Sequence, residues 1–399
     1  MKNIVFIFVV ICSIQISFTT MAQDKQIRKA VEGNNEFCFD LMEASYEEGK
    51  NQALSPFSIS IAMAMTYDGT AWRTKWDMAK TMHFPFSREK NHEAWTQMLN
   101  HFKQLKTPLF KLANAVWAQE NYHFEEDFLS GLKDFDAKVE HVNFKSTVER
   151  EKGRRKINQW VESKTERKIR QLIRKDNIDE LTRMVLVNAI YFNADWQQQF
   201  DPEKTRKNDF KTPDGKIKTN FMSMKSELLF SERDNFDAVQ LPYKDERASM
   251  YIILPDKHKN PGDILKTLDS ESFGQLCQSF KETKLMLALP KFKAKARYEM
   301  KDILMDMGMV APFSHYANLS GINGKLDLLI DDVIHQAMVE VDEEGTEATA
   351  STAVVISRKS TKRPKEFIVD RPFIFLIKEH KQGNILFAGI VNNPENTEK

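Results

Sequence analysis

Cysteine, flexible linkers and long apolar runs are all scarce in this chain. Of 399 residues only three are cysteine, Cys12, Cys38 and Cys277, too few for a disulfide scaffold. No Gly/Ser-rich, Pro-rich or low-complexity tract divides the sequence and no internal repeat is present, so one large domain is expected despite the length. The formal net charge is +1 with 29% charged residues, which implies no bulk attraction to nucleic acid or to a membrane. Catalytic signatures are missing as well. Asn318 to Gly324 reads NLSGING, not a nucleophile elbow, and Gly321 to Lys325 is too short for a phosphate loop. HExxH and CxxC are absent and the nine histidines are scattered singly. Neither an enzyme nor a metal centre is expected.

One apolar run does stand out, at the start. Lys2 precedes an unbroken apolar stretch from Ile4 to Cys12, and Thr20-Met21-Ala22 offers small residues where a signal peptidase inspects the chain. The run is short for a membrane span. Residues 1–22 are therefore expected to be a signal peptide and 23–399 a secreted domain. Cys38 and Cys277 could pair after secretion, but two buried free thiols are the preferred reading. Asn318-Leu319-Ser320 is a candidate glycosylation site at Asn318.

Periodicity predicts helices early and strands late. Helices are expected at Glu36–Glu48, at Ile59–Tyr67 after Ser55-Pro56, from Ile157 to about Ile173, and around Met300–Met307. Strands are expected at Phe110–Ala118, Met184–Phe192, Ala248–Leu254 and Leu285–Leu289, with a hairpin joining Phe373–Lys378 to Ile385–Val391 through Lys381-Gln382-Gly383-Asn384. The order lacks βαβ alternation and argues for an α+β fold.

The most informative segment is Glu344 to Ser360, EGTEATASTAVVISRKS. Its middle, Ala348 to Ile356, has no charge, proline or glycine and is built of small or β-branched residues, the composition of a buried strand. It nevertheless runs into Arg358-Lys359-Ser360-Thr361-Lys362-Arg363, which belongs in water.

These features come together in a resemblance. Asn51-Gln-Ala-Leu-Ser55-Pro56-Phe57-Ser58-Ile59, Val185-Leu-Val-Asn188-Ala189-Ile190-Tyr191-Phe192 with Trp196, Leu289-Pro290-Lys291-Phe292, Arg371-Pro372-Phe373, Phe387-Ala388-Gly389 and the stretch Val341 to Ala350 resemble, in order, segments of the serpins. The resemblance implies a serpin fold of about nine helices around three β-sheets, with an exposed reactive-centre loop at about 343–366. It further implies a suicide inhibitor: the loop is cut by a protease, inserts as a new strand of a sheet, and traps the protease as a covalent 1:1 acyl-enzyme complex. Insertion of this kind is one of the established forms of β-strand addition. Alternation along a strand turns Thr346, Ala348, Ala350, Thr352, Val354 and Ile356 inward after insertion, and leaves Glu347, Thr349 and Ser351 outward.

Residue roles follow from the same resemblance. Glu343, Gly345, Thr346, Glu347, Ala348 and Ala350 form the hinge. Lys291 is expected to pair with Glu343 beside Trp196. Ser55, Ser58, Asn188 and His335 match a polar cluster beneath the strands that part, although a satisfied buried polar set reads equally well from the residues alone. Counting from the hinge glycine puts the reactive bond at Lys359–Ser360, with Arg358–Lys359 as the alternative, and a long cation there calls for a trypsin-like protease. The alternatives are a basic-specific cysteine protease as target, or a non-inhibitory carrier or chaperone of the same fold. No cofactor is required; the segment Arg150-Glu-Lys152-Gly-Arg154-Arg155-Lys156 is a candidate patch for a heparin-like polyanion. A monomer is expected.

Overall fold

A computed structural model describes residues 25–104, 110–346 and 363–396. The expected signal peptide 1–22, the expected hinge residues Glu347, Ala348 and Ala350, and the candidate bonds at Arg358, Lys359 and Ser360 lie outside the described residues.

Numbered in chain order, sixteen strands among the described residues form three sheets. The largest contains β1 (Gln52–Leu54), β6 (Arg206–Thr212), β7 (Gly215–Glu232), β8 (Phe236–Pro242), β9 (Ala248–Pro255), β10 (Lys281–Pro290), β14 (Lys365–Ile368), β15 (Phe373–Glu379) and β16 (Ile385–Val391). A five-stranded sheet is ordered β11 (Phe292–Glu299), β12 (Ile334–Val341), β4 (Met184–Phe192), β2 (Phe110–Gln119) and β3 (Lys138–Val142). The smallest pairs β13 (Gly345–Thr346) with β5 (Ala194–Asp195). Ten α-helices accompany them: α1 (residues 25–44), α2 (Pro56–Tyr67), α3 (Trp72–Thr81), α4 (Arg88–Lys103), α5 (Glu126–Asp134), α6 (Thr147–Lys164), α7 (Pro261–Leu265), α8 (Ser270–Ser279), α9 (Lys301–Asp306) and α10 (Ser320–Asn323). The α+β expectation holds. No described helix is long and apolar enough to cross a membrane.

Helix α2 shows why the local sequence works. Ser55 caps it by accepting the Ser58 N–H, Pro56 occupies the first turn where no N–H is needed, and all twelve residues are buried. A helix apolar on every side belongs inside. It fills the main core, which runs from the large sheet to the inner face of the five-stranded sheet. On the outer face of that sheet Trp117, Val187 and Ala189 meet a second, smaller core contributed by α6 and the chain after it. Ile190 and Phe192 point inward while Val187 and Ala189 point outward, the period of two that a two-faced strand requires.

The helix expected to reach Ile173 ends instead at Lys164. Glu166, Arg167 and Gln171 then take left-handed backbone conformations, and residues 165–178 cross the outer face as a strap. Asn158 holds Ile173 from α6 by two hydrogen bonds of 2.8 and 2.9 Å. Across the sheet, Arg297 of β11 donates to the Leu172 carbonyl (3.1 Å) and to Asn177 (2.6 Å), and Lys168 meets Glu340 of β12 at 3.6 Å. Ile169, Leu172 and Ile173, spaced like a helical stripe, are buried against the sheet.

Candidate functional site

The centre of the five-stranded sheet has an unusual seam. β12 and β4 pair in parallel over four positions, from His335–Asn188 to Met338–Tyr191. Beyond Val341 the chain reverses: the Asp342 N–H donates to the Gly345 carbonyl, and the Asp342 side chain accepts the N–H groups of Glu344 and Gly345, an Asx-type turn. The returning β13 pairs antiparallel with β5, Gly345 opposite Asp195 and Thr346 opposite Ala194. A strand thus starts at the mouth of the seam, already antiparallel to both of its walls.

Each side chain at this mouth has an identifiable task. Lys291 Nζ lies 2.6 Å from Glu343 Oε2, and Thr205 Oγ1 donates to Glu343 Oε1 at 2.7 Å. Burial pushes the Glu343 carboxyl up, but these two hydrogen bonds prevail and hold it below the usual carboxylate range. The Trp196 indole N–H donates to the Asp342 carbonyl (3.0 Å), and its ring stacks on Tyr243 with centroids 4.6 Å apart. Tyr243 in turn shares a 2.8 Å hydrogen bond with the buried Thr346 hydroxyl. Gly345 is required by close approach: a Cβ there would sit 2.3 Å from the Ala194 carbonyl oxygen and 2.7 Å from Asp195 Cα, backbone atoms that cannot yield.

Beneath the seam lies the polar cluster. His335 Nε2 accepts the Ser55 N–H at 3.1 Å, Ser55 Oγ donates to the Leu386 carbonyl at 2.7 Å, and Ser58 Oγ donates to Asn188 Oδ1. Asn188 continues to Asn114 at 2.8 Å. Burial pushes the His335 imidazole down to about 3, so the ring is neutral. With Nε2 accepting, the ring proton sits on Nδ1, which is buried and has no partner.

The structure therefore brings Glu343, Gly345, Thr346, Trp196 and Lys291 together at one end of the seam, and Ser55, Ser58, Asn188 and His335 under its middle. Thr205, Tyr243 and Asn114 were not picked out from the sequence and arrive from distant segments with no local motif; Asp342 lies within the hinge stretch but was given no role of its own. Asn318 is largely buried, and its Oδ1 accepts from the Ser320 N–H and hydroxyl. Cys38 and Cys277 are free thiols. In the basic segment of α6, Lys152 pairs with Glu149, Arg154 and Arg155 share Glu151, Lys156 reaches Glu140 of β3, and Arg150 donates to the Phe144 carbonyl. Four cations thus share three carboxylates, and Lys152, Arg155 and Lys156 stay more than half exposed. Among the described residues no group of three His, Cys, Asp or Glu could hold a metal.

Residues 32–394 match the family model described as Serpin (serine protease inhibitor). An uncharacterized serpin-like protein of Thermococcus kodakarensis is 35% identical over 94% of this chain and 87% of its own length. The leukocyte elastase inhibitor of Xenopus laevis is 36% identical, covering 90% of this chain and 97% of its own. The crystal structure of human thyroxine-binding globulin superposes with a TM-score of 0.84 at 25% identity, covering 93% of this chain and all of that one.

Proposed function

The chain belongs to the serpin family, and we propose that it is a secreted, single-domain inhibitor that traps Lys/Arg-directed serine proteases as a covalent 1:1 complex. The observation that carries this reading is the agreement of two registers at the seam. Continuing the Thr346–Ala194 pairing down β4 brings Thr352 opposite Asn188. Continuing the turn from Asp342–Gly345 down β12 brings the same Thr352 opposite His335. Asn188 and His335 are already partners of one another. One strand can therefore enter between the two walls and satisfy both without a slip.

The chemistry is an interrupted acyl transfer. The protease serine oxygen attacks the carbonyl carbon of Lys359, the bond to the Ser360 nitrogen breaks, and Ser360 leaves as a free amine. An ester then joins Lys359 to the serine. Entry of residues 347–358 into the seam draws that ester and the attached protease along the sheet before water reaches it. Burying Val354 and Ile356 contributes roughly 1.5–3 kcal/mol each, and new ladder hydrogen bonds about 0.5–1.5 kcal/mol apiece. The total is on the order of 10 kcal/mol, comparable with the whole stability of a typical protease, about 5–15 kcal/mol. In this account Gly345 and Thr346 start the strand, Glu343 and Lys291 fix its entry, Ala348 and Ala350 pass inward without steric conflict, and Ser55, Ser58, Asn188 and His335 hold the unopened seam. Residues 1–22 direct export.

The test is to mix the mature protein with trypsin, run a denaturing gel and sequence the released peptide. The expected result is a denaturant-resistant band at the combined mass and a peptide beginning at Ser360; one beginning at Lys359 moves the reactive residue to Arg358. Likeness to a thyroxine-binding globulin raises a second reading, a carrier. Cleavage without a complex and without a gain in heat stability would favour it. A resistant complex with a basic-specific cysteine protease alone would reassign the target class.

A further inference from the structure

Far from the seam's mouth, helix α3 carries side chains that an isolated soluble surface has little use for. Trp72 is 79% exposed and Trp76 52%, on one face four residues apart. Phe86, 57% exposed, sits edge-on to Trp76 with ring centroids 6.2 Å apart. Tyr316, 78% exposed, belongs to a loop bound to the same helix: Asn318 N–H donates to Thr74, and Ala311 N–H to Asp77. Trp72 also holds a left-handed backbone conformation, costly for a bulky residue and found disproportionately where function demands it. These rings project from a helix and two loops; they do not line a cleft.

Positive charge predominates along this segment, although Glu36 and Asp40 flank its His83. Residues 72–90 contain Arg73, Lys75, Lys80, Arg88 and Lys90 against only Asp77 and Glu89. Asp77 is buried beneath Arg73, 2.6 Å away. The Lys75 ammonium lies over the Phe86 ring, 4.7 Å from its centroid, and 5.7 Å from that of Tyr67, a cation held at the aromatic face.

We propose that this face docks on a membrane surface that carries anionic lipid. Trp and Tyr are the side chains that settle at the boundary between headgroups and hydrocarbon. Projecting rings suit a surface that deforms around them better than a rigid protein partner, whose recognition needs a matching pocket. The ring of cations supplies attraction to lipid phosphate and carboxylate that a neutral bilayer does not return. A net charge of +1 excludes bulk attraction of the whole chain but not this local one. The assignment is independent of the inhibitory reading.

The experiment is sedimentation of the full protein with vesicles of phosphatidylcholine alone and of phosphatidylcholine with phosphatidylserine, followed by tryptophan fluorescence and its quenching by bromolipid. Binding to the anionic vesicles only, with a blue shift and bromolipid quenching, is expected. W72A/W76A should lose both binding and quenching. K75Q and K80Q should each weaken partitioning roughly fivefold, the effect of about one surface charge. Thermal unfolding of each variant is the folding control, since all four residues are surface-exposed or half-buried. Equal binding to both vesicles, no binding at low salt, or binding unchanged by W72A/W76A would overturn the proposal. So would a dimer in solution that W72A/W76A dissociates, which would assign the face to a second copy of the chain.

Discussion

Replacing Ala348 by glutamate is the sharpest probe of strand entry. Extending the register observed at Thr346–Ala194 puts position 348 between Phe192 and Val339, both fully buried. Thr346 already turns inward, bonded to Tyr243, and residue 348 shares its face. A glutamate there must enter the core as an unpaired carboxylate or take up a proton, at roughly 3–5 kcal/mol. If half of that is felt as the strand enters, insertion slows by about 10- to 60-fold, and by about 10²-fold or more if all of it is felt, at 1.4 kcal/mol per factor of ten. Hydrolysis of the acyl-enzyme then wins, and A348E should be consumed as a substrate. Glu347→Lys, one residue earlier and on the outward face between the half-buried Asn193 and Glu340, is the control and should keep most of its trapping capacity. The assay titrates a fixed amount of trypsin with each variant and reads residual activity together with the resistant band. Unimpaired trapping by A348E, or equal failure of A348E and E347K, would refute the parity and the register behind it.

Other outcomes follow from the same geometry. Thr352→Val should leave the uncut protein unchanged but lower the stability of the cleaved form by about 1–3 kcal/mol, because the inserted Thr352 hydroxyl is the acceptor that His335 Nδ1 lacks; denaturant titration of the cut protein reads it. His335, neutral in the fold with its pKa depressed to about 3 against about 6.5 when unfolded, gives stability that is complete above about pH 6.5 and lost as pH falls toward about 3. His335→Gln should flatten that part of the urea-midpoint curve. Gly345→Ala should unpair β13 from β5, since its Cβ meets backbone at 2.3 Å, and should show as loss of hydrogen-exchange protection at the Trp196 amide, which donates to the Glu344 carbonyl.

How much of this was legible beforehand depended on whether the determinants were local. Helix α2 announced itself through Ser55, Pro56 and an all-apolar body, and the β15–β16 hairpin through Gly383. The grouping of Lys291, Glu343, Gly345 and Trp196 at one end of the seam was legible through the resemblance of the segments that carry them. The end of α6 was not. Ile169, Leu172 and Ile173 keep a helical spacing while packing on a sheet, so periodicity carried the helix onward past Lys164. Tyr243 and Thr205 meet the hinge only through tertiary folding. In the basic run at Arg150–Lys156 the partners Glu149 and Glu151 could be read from the sequence, but Glu140, which reaches Lys156 from β3, could not. The exposure of Trp72 and Trp76 is likewise a property of the surface, not of the chain.

The strap over the outer face has a consequence of its own. Admitting a strand widens the sheet between β4 and β12 by about 4.8 Å. Residues 165–178 bridge that gap, tied to Asn158 on one side and to Arg297 and Glu340 on the other. A tether fixed at both ends must slip, stretch or release before the walls separate, whether or not the loop has been cut. Under the proposed mechanism it would act as a brake on the uncut molecule, the strength of its anchors setting how long the protein keeps in its active form in storage at a given temperature. The depth of the final state is a separate matter, so Arg297→Ala would shorten that working life while leaving the end product as stable as before.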